Sequence, residues 1–188
     1  MVKQRLIIGM SGASGAPLTV ELLKQLKQQD QYETHLICTK GAALTLEAET
    51  PLTRNQLYEL ADVVHENENI GAGPASGSYR TGGMIIVPCS MKTLAGIVSG
   101  YSENLLLRAA DVTLKERRKL ILIPRECPLS TIHLRNLYEI SQLGAVVIPP
   151  VLSYYNNPQT IRDSTRHIVG KILDQFQIEG EKFQRWEG

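Results

Sequence analysis

Five short apolar runs recur along the sequence, and segments with helical spacing separate them. The runs are rich in Ile, Val and Leu, and they span residues 5–10, 33–39, 83–89, 119–125 and 145–150. Apolar composition without alternation is typical of strands that are covered on both faces. Because strands and helices alternate, the sequence predicts an α/β fold with a three-layer, doubly wound parallel sheet.

The segments between the runs predict amphipathic helices. Residues 16–29 place four leucines on one stripe, residues 129–144 have the same spacing with Gly144 as a C-terminal cap, and a C-terminal helix begins after Pro158. No repeat, low-complexity tract or linker divides the chain, so we expect a single domain over residues 1–188. Residues 67–83 are rich in Gly, Ser and Pro, which is typical of an ordered functional loop or of a mobile one.

Charge and cysteine content restrict the classes of partner. The 20 Lys and Arg balance 19 Asp and Glu, so a nucleic-acid partner is not expected. Three cysteines stand far apart without a C-x-x-C pair, which excludes a zinc ribbon and argues against a disulfide framework. The first apolar run is too short for a signal peptide or a membrane span. We therefore expect a cytoplasmic protein without a membrane partner or a metal site.

The first apolar run leads into a glycine-rich turn, "GMSGASGAP", and then into a helix. The first amides of a helix lack intrahelical partners and favour an anion. The glycine spacing is neither that of dinucleotide-binding enzymes nor that of P-loop enzymes, so it argues against NAD and against ATP hydrolysis. A tight strand-to-helix connection without any ligand is the alternative.

Polar side chains follow every predicted strand, where open parallel sheets bind ligands. They are Thr39 and Lys40, then Ser90, Lys92 and Thr93, then Arg125 and Glu126, and finally Tyr154 and Tyr155, besides the glycine-rich turn. Singly, they could be helix caps, ion pairs or solvated residues, and Cys89 and Cys127 are expected to be small buried side chains. Together they predict a site for one or more phosphate groups and a flat ring. The four histidines show neither metal spacing nor a triad partner.

Several longer motifs carry a resemblance to a known family. The combination of "GMSGASGAP", "PASGS", "PCSMKTLAGI", "LKERRKLILIPRECPLSTIHLRNL" and "SYYNNP" resembles the UbiX-type flavin prenyltransferases from residue 5 to residue 186. The "SMKTLAGI" form and the "DQF…RW" tail are most similar to the branch that accompanies hydroxyarylic acid decarboxylases. The resemblance implies a flavodoxin-like or Rossmann-like fold.

The resemblance also implies a reaction and its partners. Such proteins transfer a dimethylallyl group from dimethylallyl monophosphate to N5 and C6 of reduced FMN, without a metal. The prenylated FMN serves a separate UbiD-type decarboxylase of aromatic acids. Members of the family form homo-oligomers, namely dodecamers, with sites at subunit interfaces. The C-terminal helix and tail, residues 158–188, are therefore expected to contact neighbouring subunits, and Arg108, Lys115 and Trp186 to serve a neighbour's site.

The matching motifs assign candidate site residues. The FMN site comprises Gly12, Ala13, Ser14, Thr39, Ser90, Met91, Lys92, Thr93 and Arg125. Ser14 lies near N5 in this assignment and is grouped with the proton-handling carboxylates, Glu49 and Glu126, as catalytic. The phosphate of the allylic donor is assigned to Lys115, Arg125, Tyr155 and Lys171.

The sequence departs from the family pattern at three places. Ile70 occupies a region where a tryptophan is frequent, Lys171 stands where arginine is common, and Tyr154 lies in a replaced segment, "VLSYYNNP". The sequence leaves two other functions open. One is a flavin-dependent cysteinyl decarboxylase of the same fold group, which requires a catalytic histidine that the sequence does not place. The other is a non-catalytic, FMN-binding carrier subunit of a hydroxyarylic acid decarboxylase complex.

Overall fold

The computed structural model describes residues 3–181 and 183–186, and its centre is a six-stranded parallel sheet. The strands are β1 (Gln4–Met10), β2 (Tyr32–Cys38), β3 (Val63–Glu66), β4 (Gly83–Cys89), β5 (Lys119–Pro124) and β6 (Val146–Val147). The helices are α1 (Ala16–Leu26), α2 (Lys40–Glu49), α3 (Arg54–Tyr58), α4 (Met91–Val98), α5 (Leu105–Lys115), α6 (Thr131–Gln142) and α7 (Ile161–Asp174). A 3₁₀ turn spans Gly73–Ala75.

The strand order is β3-β2-β1-β4-β5-β6, so the chain reverses its direction of travel across the sheet between β1 and β4. Such a reversal separates the helices that follow the two strands and leaves a crevice at their carboxyl ends. The predicted doubly wound α/β fold is confirmed. Among the described helices, none is long and apolar enough to cross a membrane.

Alternate residues of the central strands supply two hydrophobic cores. On β1, Leu6, Ile8 and Met10 pack with α1 and α7 on one face, whereas Ile7 packs with α4 and α5 on the other. All four side chains are at most 2% exposed, as expected for strands covered on both faces. The three layers predicted from the continuous apolar runs are thus present.

Two edges of the sheet differ from the prediction. β3 has only four residues, one of them charged, and the sequence analysis did not identify it. The last apolar run was expected to form a strand over residues 145–150, but only Val146 and Val147 pair with β5. Edge strands need less apolar surface than central strands, so their sequences are short and mixed. Gly144 follows α6 with a φ of 93°, as its capping role requires.

The glycine-rich segment between β3 and β4 is ordered by contacts from α5 and the turn after it. Arg118 donates to the carbonyl oxygens of Gly77 and Tyr79, at 2.6 and 2.8 Å. The guanidinium of Arg108 donates to the carbonyl of Ala75 at 3.2 Å. This segment therefore has a fixed path over one face of the sheet.

The C-terminal tail is tied to α1 by a nearly buried ion pair. Glu21 on α1 lies 3.2 Å from Arg166 on α7, and the same arginine lies 3.0 Å from Glu181. The amide of Glu181 also donates to the side chain of Gln25 at 2.9 Å. These contacts hold the tail against the helical layer formed by α1 and α7.

Candidate active site

Three helix N-termini converge on one cavity at the carboxyl edge of the sheet. The cavity has a volume of about 770 Å³, and its lining includes the N-cap residues of α2, α4 and α5, which are Thr39, Ser90 and Asn104. Each cap accepts a hydrogen bond from the first turn of its own helix, at 3.0 to 3.2 Å. Because each N-terminus carries a partial positive charge, the convergence favours a phosphate group.

Charged side chains around the cavity are partly neutralised. Lys40 lies 3.6 Å from Glu68, and Arg135 lies 3.6 Å from Glu139. Lys92, in the first turn of α4, has no ion-pair partner among the residues that the structure describes. It is exposed at the mouth of the cavity, so its ammonium group is available to an anionic ligand.

The turn between β4 and α4 is fixed by a buried serine of the neighbouring turn. The Ser11 hydroxyl donates to the Pro88 carbonyl at 2.9 Å and accepts from the Ser90 amide at 2.7 Å. Ser90 in turn donates to the Thr93 hydroxyl at 3.1 Å. The Arg125 amide donates to the Cys89 carbonyl at 3.1 Å, which places the end of β5 beside this turn.

The N-terminus of α1, in contrast, holds a carboxylate of the protein itself. Gly15, the N-cap residue, has no capping side chain and a φ of 126°. One oxygen of Glu49, at the end of α2, accepts from the amides of Gly15 and Ala16 at 2.8 and 2.9 Å. The amides at this helix end thus bind an anion, but the anion is a side chain of the protein itself and not a ligand.

Glu49 is held in its ionised form. Burial alone raises the pKa of the Glu49 carboxyl, but the hydrogen bonds from Ser14, Gly15 and Ala16 and the charge of Arg125 outweigh burial, so the pKa lies below its usual range. The carboxylate is thus an acceptor at neutral pH and a poor proton donor. It also fixes the orientation of the Ser14 hydroxyl and lies within the electrostatic reach of Arg125.

Gly12 is required by a close approach of two backbones rather than by open space. A Cβ atom at Gly12 would lie 2.9 Å from the Cα atom of Gly41, at the start of α2. This contact joins the glycine-rich turn to the helix that carries both Thr39 and Glu49. The turn after β1 and the turn after β2 therefore pack backbone against backbone.

The predicted site residues fall into two groups. The carboxyl edge of the sheet carries Gly12, Ala13, Ser14, Thr39, Glu49, Ser90, Met91, Lys92, Thr93, Arg125 and Glu126. Of these, Thr39, Ser90, Lys92 and Thr93 line the cavity. Met91, the first residue of α4, is buried.

Lys115, Tyr155 and Lys171 form the second group, and the single chain does not bring them to the cavity. Lys115 ends α5 and pairs with Glu116 next to the start of β5, which is the opposite edge of the sheet. α7 begins beside α1 and Glu49, at the carboxyl edge of the sheet. It ends where Lys119, the first residue of β5, donates to the Gln175 carbonyl. Lys171, in the last turn of α7, therefore also lies toward the opposite edge. Tyr155 packs on the same helix, against His167.

Glu126 and Cys127 lie on an exposed turn after β5. Glu126 accepts a hydrogen bond from the Cys127 amide at 3.1 Å and forms no ion pair with Arg125 within the described part of the chain. The expectation that Cys127 is buried was wrong, because the residue is exposed beyond the end of the strand. Cys89 is buried as expected, and burial raises the pKa of its thiol to about 12.

Sequence analysis did not identify three polar residues that build the site. Ser11 joins the two turns, Asn104 caps α5 at the cavity, and Asn67 accepts from the Leu106 amide at 3.1 Å. The glycine-rich motif already contains Ser11, and "SEN" before an apolar helix is an N-cap signal for Asn104. Over the described ranges, no group of three or more His, Cys, Asp or Glu side chains is arranged to hold a metal ion.

The fold and the cavity define a class of protein, a doubly wound α/β domain with a crevice at its topological switch point that helix N-termini line. In agreement, residues 1–176 match the family described as Flavoprotein. The probable UbiX-like flavin prenyltransferase of Sedimentibacter hydroxybenzoicus is 55% identical over 184 residues, which are 98% of this chain and 97% of that protein. The flavin prenyltransferase LpdB of Lactiplantibacillus plantarum is 49% identical over 98% of this chain and 99% of its own length. The chain belongs to the UbiX-like flavin prenyltransferases.

Solved structures extend this similarity to three dimensions. A dodecameric FMN-dependent UbiX-like decarboxylase from Escherichia coli O157:H7 is 50% identical, with a TM-score of 0.97 over 98% of this chain and all of that chain. AnUbiX (PadA1), solved with FMN and dimethylallyl pyrophosphate, is 45% identical, with a TM-score of 0.97 over all of this chain and 99% of that one. The FMN-dependent cysteine decarboxylase TvaF is only 17% identical, so its TM-score of 0.61 shows a shared fold alone.

Proposed function

We propose that the protein transfers a dimethylallyl group from dimethylallyl monophosphate to reduced FMN, forming bonds at N5 and C6 and releasing phosphate. The observation that carries the proposal is the cavity on which three helix N-termini converge. The cavity supports the binding of a phosphorylated flavin. The chain is also similar to AnUbiX, whose structure was solved with FMN and dimethylallyl pyrophosphate.

FMN fits the cavity in size and in charge. A volume of about 770 Å³ is within the usual range for a small-molecule site. The FMN phosphate is assigned to the helix ends at Thr39, Ser90 and Thr93, with Lys92 at the mouth. The flavin ring is assigned to the adjoining edge formed by Gly12, Ala13 and Ser14, with Arg125 beside it. FMN is thus the acceptor substrate, and it supplies a nucleophilic nitrogen when bound in reduced form.

The donor site is proposed to form between copies of the chain. Arg125 lies at the carboxyl edge, whereas Lys115 and Lys171 lie toward the opposite edge of the same chain. Tyr155 packs on the middle of α7, outside the cavity. A homo-oligomer, by analogy with the dodecameric relative, would bring the second group of one subunit to the edge of another. The helix and tail at residues 158–188 are proposed to contact the neighbour; residues 182, 187 and 188 lie outside the described residues. Arg108 and Trp186 are proposed to face that neighbour's site.

The residues have distinct roles in this proposal. Cleavage of the allylic C–O bond leaves negative charge on the departing phosphate, which Arg125 and the neighbour's cations stabilise without a metal. Glu49 and Ser14 keep their assignment to proton handling. The ionised Glu49 can accept a proton, and it also fixes Ser14 and balances the charge of Arg125. The proton that N5 gives up is matched by one that the allylic double bond takes up before the bond at C6 forms. Glu126, exposed on its turn, is assigned to accept the proton that C6 then loses. The chain also carries no Asp-rich motif for a magnesium diphosphate, which favours a monophosphate donor.

A non-catalytic FMN carrier is the second candidate, and the names of the relatives do not favour it. The cysteinyl decarboxylase function rests on the fold alone, because those relatives are too dissimilar to carry more. The product is proposed to serve a UbiD-type decarboxylase of aromatic acids in the cytoplasm.

An anaerobic incubation tests the proposed function. The protein is mixed with reduced FMN and dimethylallyl monophosphate, in parallel with the pyrophosphate, and the flavin is analysed by mass spectrometry. We expect the flavin to gain one five-carbon unit with the monophosphate. Tight FMN binding with unmodified flavin in both reactions would instead support the carrier.

Two variants test the assigned roles. Arg125→Ala is expected to weaken the binding of phosphate-bearing ligands by about 1.5–3 kcal/mol, because the substitution removes a charge-assisted hydrogen bond. The exposed Arg80→Ala serves as the control for loss of a positive charge. Glu126→Gln should still bind FMN but form product slowly, and unchanged turnover would reject its role in proton transfer.

A further inference from the structure

His167, for which the sequence suggests no chemical role, contacts Tyr155, one of the proposed donor-site residues. His167, in the middle of α7, is 5% exposed, and its Nε2 atom lies 3.1 Å from the hydroxyl oxygen of Tyr155. The two rings meet edge to face, with centroids 5.5 Å apart. Phe183 packs on the other side of the imidazole at 5.3 Å, and Trp186 packs on Tyr155 at 5.5 Å. The tail therefore clamps this pair from outside.

The other nitrogen of His167 determines which partner donates the hydrogen bond. Nδ1 is buried and has no hydrogen-bond partner among the described residues. If Nδ1 carried the proton, a buried N–H would lack an acceptor, which is the rarer and costlier arrangement. The favoured tautomer therefore carries its proton on Nε2.

His167 is neutral in this environment. Burial, reinforced by the charge of Lys171, lowers the pKa of the imidazole. A neutral imidazole with a proton on Nε2 donates to the Tyr155 oxygen and accepts nothing from it. The hydroxyl proton of Tyr155 then remains available for another acceptor, and 43% of this tyrosine is exposed. In the opposite tautomer, the Tyr155 hydroxyl would donate its proton in a hydrogen bond to Nε2 of His167. The tyrosine would then present only oxygen lone pairs to an anion.

We propose that His167 is a positioning residue for the donor site, donating from Nε2 to the Tyr155 oxygen so that the tyrosine proton points to the donor phosphate. The proposal rests on the proposed function, in which Tyr155 binds that phosphate. In this proposal, His167 orients the substrate-binding tyrosine and does not transfer a proton, because the imidazole is buried and Tyr155 is the exposed member of the pair.

The tautomer can be measured without any turnover. The full-length protein, labelled with ¹³C and ¹⁵N in its four histidines, is studied by solid-state NMR at neutral pH or slightly above. The His167 signal is identified by its loss in His167→Gln. We expect the protonated nitrogen to correlate with Cδ2, which identifies Nε2. A proton on Nδ1 would overturn the proposal.

Steady-state kinetics test the consequence for the donor. His167→Leu removes the donating group at similar volume, and His167→Gln keeps an N–H at the corresponding position. We expect the leucine variant to raise KM for dimethylallyl monophosphate about 3- to 10-fold with unchanged FMN affinity. The glutamine variant should return KM to within about 2-fold of the wild type, in line with retention of one neutral hydrogen bond. In a Tyr155→Phe background, His167→Leu should have no further effect.

The controls separate this proposal from a structural role and from the function itself. His167→Leu should unfold at a denaturant concentration close to that of the wild type, because it removes one hydrogen bond and one unpaired buried nitrogen together. Equal KM values for the leucine variant and the wild type, or an additive effect in the Tyr155→Phe background, would overturn the proposal. Wild-type protein that forms no product would contradict the proposed function, whereas normal turnover with a proton on Nδ1 would contradict the assignment of His167 alone.

Discussion

The turn after β1 and the turn after β4 lie side by side, yet within the described chain only the first is occupied by a carboxylate of the protein itself. At the first turn, Gly15 offers no cap, and Glu49 occupies the amides of α1. At the second, Ser90 caps α4 with its own hydroxyl, and the helix end opens on the cavity. The turn after β1 carries the glycine-rich motif, but it is the turn after β4, with Ser90, that lines the cavity. In this molecule, the α1 amides are occupied by a carboxylate of the protein, whereas the start of α4 is free of one from the described residues and lines the cavity.

The largest effect should come from emptying the first turn. Glu49→Ala leaves two amides and the Arg125 charge without their partner, so we expect a loss of about 2 kcal/mol in the free energy of unfolding. Urea unfolding at a fixed protein concentration measures it, with Glu47→Ala on the same helix as control. Added sulfate should restore stability more in Glu49→Ala than in the control, because the vacated helix end accepts an external anion. Equal stabilities of the two variants would contradict the assigned role of Glu49.

A slightly smaller effect is expected where the first turn meets α2. Gly12→Ala places a methyl group 2.9 Å from the Gly41 backbone, which must move to accommodate it. We expect about 1.5 kcal/mol of destabilisation, together with weaker FMN binding, since Thr39 shifts with α2. Gly71→Ala is the control, because its methyl group would meet only the Asn69 side chain at 3.5 Å. Similar melting temperatures for the two variants would show that the backbones are not closely packed.

The second turn should respond in ligand affinity more than in stability. Ser90→Ala removes a helix cap and is expected to cost about 1 kcal/mol of stability. Thr160→Ala removes the equivalent cap of α7, away from the cavity, and should cost a similar amount. Only Ser90→Ala should also weaken FMN binding, measured by flavin fluorescence. An equal loss of FMN affinity in Thr160→Ala would remove the distinction between the two helix ends.

The smallest effect concerns pH. Because the pKa of Glu49 is lower in the folded protein, its ionised form stabilises the fold above the unfolded-state pKa of about 4.5, and this contribution is lost as the pH falls through the lower folded value. The difference in unfolding free energy between the wild type and Glu49→Gln should therefore be constant near neutrality and shrink below about pH 4.5. A difference that grows on acidification would contradict the sign.

Much of the fold was predictable, because the central strands are covered on both faces and their sequences are continuously apolar. β3 was not, since its four residues sit at an edge where packing tolerates His65 and Glu66. Likewise, residues 148–150 have an apolar sequence but no strand geometry at the other edge. Local composition determines the centre of the sheet more strongly than its borders.

The site was predictable where a strand end fixes a residue and less so where distant segments meet. Thr39 and Ser90 follow strands directly, Thr93 lies in the first turn of α4, and all three line the cavity. The contact between Glu49 and the start of α1 joins residues more than thirty positions apart, and no local pattern signals it. The roles of Lys115, Tyr155 and Lys171 remain predictions, because they depend on how copies of the chain assemble.

A crystal structure of the protein with FMN tests the central claim most directly. We predict that the FMN phosphate lies against the helix ends at Thr39, Ser90 and Thr93, while Glu49 keeps its hydrogen bonds to Gly15 and Ala16. A phosphate bound to the amides of α1, with Glu49 displaced, would contradict the account.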